Sequence, residues 1–133
     1  MNIALLFCEH AQTTPAGKLD IKGIYNELYA TGFPARQDHL TLAGIVEWNR
    51  EDEGKLPFKI DLMDPNDSSI FTIDGHTEVD ARPASRPPAR THLILPLENL
   101  IFPEVGQYAA MVQIREQTVE GPSLYLMKRQ AQH

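Results

Sequence analysis

Apolar residues recur at every second position in short runs, and Gly, Pro, Asn and Asp close each run before it reaches helical length. A period of two confines the chain to extended segments that bury one face, and the punctuation supplies the turns between them. Leu56, Phe58, Ile60 and Leu62 alternate with Pro57, Lys59, Asp61 and Met63, which describes an antiparallel strand with one buried and one wet face. Tyr108, Ala110, Val112 and Ile114 repeat that pattern against Gln107, Met111, Gln113 and Arg115. Ile3, Leu5 and Phe7 alternate with Ala4, Leu6 and Cys8; both sets are apolar, so the first strand is expected to be covered on both faces.

Between these anchors, residues 13–17 form a turn into a second strand through Leu19, Ile21 and Ile24. Residues 27–39 hold Gly32 and Pro34, which forbid a long regular element, and read as a bent crossover. A strand follows over 40–48, with Gly44 as a bulge. Asp64-Pro65-Asn66-Asp67 has strong turn chemistry and closes a hairpin onto residues 70–79, where Asp74-Gly75 turns or bulges the chain. A strand over 91–97, an irregular corner over 98–105, a turn at Glu120-Gly121-Pro122 and a last strand over 124–128 complete the reading. The polar tail 129–133 is expected to fray.

The sum is about eight strands with no sustained helical stripe. It predicts an all-β fold, an antiparallel immunoglobulin-like β-sandwich of about seven to nine strands. Within Glu104-x-Gly106-x-Tyr108, Tyr108 is placed as the tyrosine corner of such sandwiches, whose hydroxyl bonds back to upstream backbone. Ala110 stands where antibody domains carry a cysteine, so the disulfide-free branch is meant.

At 133 residues there is room for a single domain over 1–133, large enough to bury roughly two-thirds of its unfolded surface. With 42% hydrophobic and 23% charged residues, disorder and fibrous repeats are excluded. The net charge of −6 argues against nucleic-acid binding, which needs a basic face. Cys8 is the only cysteine, so it has no internal disulfide partner, and it fits a reducing, cytoplasmic compartment. The apolar run 3–8 has no basic residue before it and Glu9-His10 after it, so neither a signal peptide nor a membrane span is expected.

Chemistry-bearing patterns are sparse. His10, His39, His76, His92 and His133 raise a zinc reading, but none forms an H-x-H or H-x-x-x-H pair with a third ligand at useful spacing. Asp61, Asp64, Asp67 and Asp74 bracket a hairpin tip and raise a calcium reading; one loop supplies too few oxygens, and Asp and Asn bonded to their own backbone explain the same residues. There is no Gly-x-Ser-x-Gly elbow, and Ser68, Ser69, Ser85 and Ser123 fall in predicted turns or loops. Cys8 lies in an apolar strand, where a thiol is inert. No enzyme, metal or cofactor is therefore expected, and a small-ligand or metal-binding protein using calcium or zinc stands as the alternative.

Residues 81–90 depart from the rest. They hold Arg82, Arg86 and Arg90 with no acid, so they carry +3 in a chain whose net is −6 and leave −9 elsewhere. Pro83, Pro87 and Pro88 favour an extended path, and arginine forks suit carboxylates and phosphates. A solvated crossover between sheets is the alternative for this segment. Leu100, Ile101 and Phe102 form an apolar corner that either plugs the open end of the sandwich or anchors a partner.

Taken in order, Cys8-Glu9, Gly17-Lys18-Leu19, Gly23-Ile24-Tyr25, Phe33-Pro34, Leu62-x-Asp64-Pro65 and Gly106-x-Tyr108 span almost the whole chain. In that order the chain resembles a family of small bacterial cytosolic proteins of unknown function. The resemblance implies a β-sandwich without an assigned activity, cofactor or catalytic residue. The expectation is a non-enzymatic interaction or structural module, binding a protein partner or a second copy through end loops or a sheet edge. Arg82, Arg86 and Arg90 are the first candidate surface, and Leu100, Ile101 and Phe102 the second.

Overall fold

The computed structural model describes residues 1–130; of the polar tail, residues 131–133 lie outside the described residues. Its strands are β1 (Asn2–Thr13), β2 (Leu19–Ile24), β3 (Glu27–Ala30), β4 (Ala35–Glu47), β5 (Gly54–Met63), β6 (Ser69–Val79), β7 (Arg90–Phe102), β8 (Gly106–Ile114) and β9 (Gln117–Lys128). They form a four-stranded sheet ordered β2-β1-β4-β7 and a five-stranded sheet ordered β3-β9-β8-β5-β6. The fold is all-β, with no helix among the described residues.

The two cleanly alternating segments became neighbours, β5 and β8, paired from Phe58↔Ile114 to Met63↔Ala109. Leu56, Phe58, Ile60 and Leu62 from one, and Tyr108, Ala110, Val112 and Ile114 from the other, join Leu5, Phe7, Leu40, Leu42, Val46 and Leu93 of the other sheet in one core. Each large apolar side chain fully buried there contributes about 1.5–3 kcal/mol of transfer free energy. At its rim the Tyr108 hydroxyl donates to the Glu104 carbonyl at 2.7 Å and accepts from the Glu104 amide at 3.1 Å. The Tyr108 ring meets Phe102 edge-on, with centroids 5.0 Å apart.

β1 pairs with β4 through Asn2–Cys8 positions and with β2 from Cys8 onward. Its far half leans over the outer face of β4 and β7, where Ala11 and Ile21 pack with Cys8, Ala43 and Ile94. Thr13 Oγ1 there lies 3.2 Å from His92 Nδ1. Coverage on both faces is thus achieved at Cys8, while Ala4 and Leu6 remain exposed.

Several expectations are corrected. The pairing is not wholly antiparallel: β3, inside the segment read as a crossover, runs parallel to β9 from Glu27↔Tyr125 to Ala30↔Lys128. Its four residues are too few to establish a period. β4 begins at Ala35, directly after the cis Phe33–Pro34 bond. Gly44 is not a bulge, because the register runs through it as Leu5↔Gly44↔Leu93; a Cβ there would sit 1.8 Å from the Ala4 carbonyl oxygen, so glycine permits close approach of β1. Gly75 does not turn the chain; it lies opposite Phe58, whose ring occupies the space a Cβ would need. Gly121-Pro122 lies inside β9, at a register irregularity against β8. β3 pairs with β9 only from Tyr125 onward, so the missing Pro122 donor breaks no ladder bond with it. β7 continues to Phe102 through the region expected to be irregular, and Asn99 with φ 55 is the one positive-φ position inside it.

Candidate functional site

Pro83, Pro87 and Pro88 remove backbone donors and fix φ, so the chain between β6 and β7 runs without a ladder. It is nonetheless anchored. The Arg86 amide donates to the Pro83 carbonyl at 3.0 Å, the Trp48 amide to the Ala89 carbonyl at 2.9 Å, and Arg50 Nη1 to the Arg86 carbonyl at 2.8 Å. Arg50, in the turn after β4, thereby joins the arginine segment, a neighbour that its place in the sequence did not reveal.

The three arginines have different surroundings. Arg90 opens β7 opposite Glu47 and donates Nε and Nη2 to the same carboxylate oxygen, at 3.0 and 2.8 Å. That pair is solvated, so it adds at most about 1 kcal/mol of stability, and it occupies much of the fork. Arg86 is exposed and Arg82 half-buried. Among the described residues neither side chain pairs with a carboxylate.

A recess of about 660 Å³ lies beside them, lined by Gly17, Arg82, Pro87, Pro88, Arg90 and His92. Gly17 comes from the β1–β2 turn, closed by its amide donating to the Thr14 carbonyl at 2.8 Å. The leaning of that hairpin over β7 brings the turn to the arginine segment. His92, which the sequence offered only as a metal candidate, is positioned by Thr13 through Nδ1, and its Nε2 has no hydrogen-bond partner among the described residues. The lining includes arginines and a histidine but no carboxylate, which suits an anionic group.

Leu100, Ile101 and Phe102 do not join this site. They end β7, ten and more residues from Arg90 along an extended strand. Leu100 and Phe102 are 3% and 1% exposed and belong to the core, so they plug the fold's interior and offer no docking surface; Ile101 alone, at 50%, faces outward.

The other candidates resolve into local bonding. Asp64 Oδ1 accepts from the Asn66 and Ser68 amides at 2.9 and 2.8 Å. Asp61 accepts from the Thr72 and Ser69 hydroxyls at 2.5 and 2.9 Å, which hold its carboxyl below the usual range. Asp74 lies opposite Lys59, and His10 opposite Lys22. His39 Nε2 is 3.3 Å from Thr41 Oγ1, and His133 lies outside the described residues. Among the described residues no three His, Cys, Asp or Glu side chains come together as a metal site. Ser69 and Ser123 sit in β6 and β9, not in loops. Cys8 is fully buried, and burial pushes its thiol up.

A larger cavity of about 870 Å³ opens beside Asn49, Asp52, Leu56 and Arg115. Its polar centre is already matched: the buried Asp52 accepts from the Asn49 amide at 3.0 Å and from Arg115. That pairing closes the 49–53 turn against the β8–β9 turn, and the cavity's other charged side chains, Glu51 and Glu116, are acidic, so it lacks the basic lining of the arginine recess.

A family model described as a family of unknown function, DUF6941, matches residues 3–127. No curated protein matches the chain.

Proposed function

We propose, for a chain that belongs to the family of unknown function DUF6941, a non-enzymatic interaction module that takes an acidic partner protein on the loop between β6 and β7. The observation that carries this reading is a half-buried Arg82 and an exposed Arg86 without carboxylate partners among the described residues, beside a recess with no acid in its lining. An unmatched guanidinium held by an anchored loop is preorganised to accept carboxylates, and the charge contrast with the acidic remainder of the chain sets the partner's orientation. An immunoglobulin-like sandwich is the architecture this reading adopts, supported by the Tyr108–Glu104 backbone bonds and by two sheets sharing one core. Cytoplasmic residence is part of the same reading, supported by a single free, buried cysteine.

The test compares capture of partners from host lysate by the wild-type chain and by an Arg82→Glu, Arg86→Glu variant, at low and moderate salt. Arg90 is left alone because Glu47 already holds it. A partner kept by wild type, lost by the variant and weakened by salt supports the reading. Identical partners on both, or none on either, refute it.

A further inference from the structure

The two sheets end in four edge strands, β2 and β7 in one and β3 and β6 in the other. An open edge presents unpaired amides and carbonyls, and folded proteins blunt such edges by brevity, proline, irregular backbone or lysine. Three of the four are short or are interrupted within their length. β3 has four residues. β7 carries Pro96 and the positive-φ Asn99. β2 has six residues, with Lys22 and the positive-φ Gly23. β6 has eleven residues, no proline, no lysine and no positive φ; its one irregularity against β5, the extra Ile70 between the Leu62↔Phe71 and Met63↔Ser69 pairs, lies at the start of the strand and leaves residues 71–79 in regular register.

Its apolar face is also unfinished. The inward residues of neighbouring β5, Leu56, Phe58, Ile60 and Leu62, are 2–9% exposed. Phe71 and Ile73 of β6 pack on the same core yet are only partly buried. A further strand laid against β6 would satisfy its ladder and cover that flank in one step.

We propose that β6 pairs antiparallel with β6 of a second copy of this chain, about a two-fold axis at Gly75, joining two five-stranded sheets into one. The sequence of β6 is self-complementary in that register. Asp74 falls opposite the second copy's His76, and Thr72 opposite its Glu78, so no acid faces an acid on the wet side. On the core side, Ile73 meets Thr77 and Phe71 meets Val79, while Gly75 meets itself where the axis needs the least bulk. A register centred on Asp74 instead places that carboxylate against its own copy, and like charges directly opposite are destabilising. An isologous contact of this kind closes on itself, so it yields a dimer and no filament. The loops following β6 then lie at opposite ends of the joint strand pair.

The experiment is the molar mass of the full chain by light scattering across a concentration series, with the wild type and two variants. The wild type is expected to rise from 15.0 kDa toward twice that mass. His76→Asp places two acid pairs across the axis and weakens association roughly tenfold or more. Asp74→His combined with His76→Asp restores the original pairs and the dimer. A wild type that stays at 15.0 kDa overturns the proposal, as does a dimer indifferent to His76→Asp. A cross-linking arm reads the register independently: mixed Asp74→Cys and His76→Cys chains form a disulfide-linked pair faster than either alone, and equal rates overturn it. Cys8 is buried and contributes no background.

Discussion

An alanine at position 44 would bring its Cβ to 1.8 Å from the Ala4 carbonyl oxygen and 2.7 Å from the Leu5 Cα, both backbone atoms that cannot swing aside. Gly44→Ala is therefore expected to destabilise the fold by roughly 1–3 kcal/mol, read as a lower urea midpoint at unchanged slope; an unchanged midpoint would show that β1 and β4 have room to part. Cys8 supplies a pH prediction. Burial raises its thiol from 9.0, so the native state keeps the proton while the unfolded chain loses it above that pH. Stability from this group is complete below pH 9.0 and is lost as pH rises beyond it. Tyr108, raised from 10.0 chiefly by burial, adds the same trend one step higher. Melting curves of Cys8→Ala, each referenced to neutral pH, are expected to fall less between pH 9 and 10 than those of wild type; parallel curves would remove Cys8 from the account.

At the scale of the element, a turn is worth what its side chains do for its backbone. Asp64 satisfies the Asn66 and Ser68 amides with one oxygen, and Asp64→Ala should lower stability by roughly 1–2 kcal/mol in equilibrium unfolding; a neutral result would mean that water replaces both bonds. Elements whose pattern repeats were legible: β5 and β8 each show four alternating apolar residues, and each buries those four. Elements set by pairing partners were not. β3 exists because residues 27–30 reach the free side of β9 at 125–128, a long-range fact that a four-residue segment cannot encode locally. Gly-Pro at 121–122 carries turn chemistry, yet β9 passes through it, since the strand has no neighbour there on the β3 side. Pro57 is tolerated in a central strand for the same reason, because the β5–β8 ladder starts at Phe58. The corner residues Leu100 and Phe102 were visible as apolar but not as buried, since the length of β7 depends on its twelve pairings with β4.

For the whole molecule, charge and shape coincide at one end. The +3 of residues 81–90 was plain from the sequence, but the recess was not, because Gly17 and His92 reach it only through the lean of the β1–β2 hairpin over β7. Arg50 was equally hidden, being thirty-six positions from the carbonyl it holds. With this end as the proposed docking surface and the β6 edge for a second copy, the two contacts use different residues and can be separated by mutation. The most direct test is amide chemical-shift mapping during titration with a glutamate-rich peptide at low salt. Shifts are expected only at residues 14–18, 82–92 and Arg50, abolished by Arg82→Glu with Arg86→Glu and weakened by added salt. Absence of shifts there, or shifts that persist in the variant, would contradict the proposed docking surface.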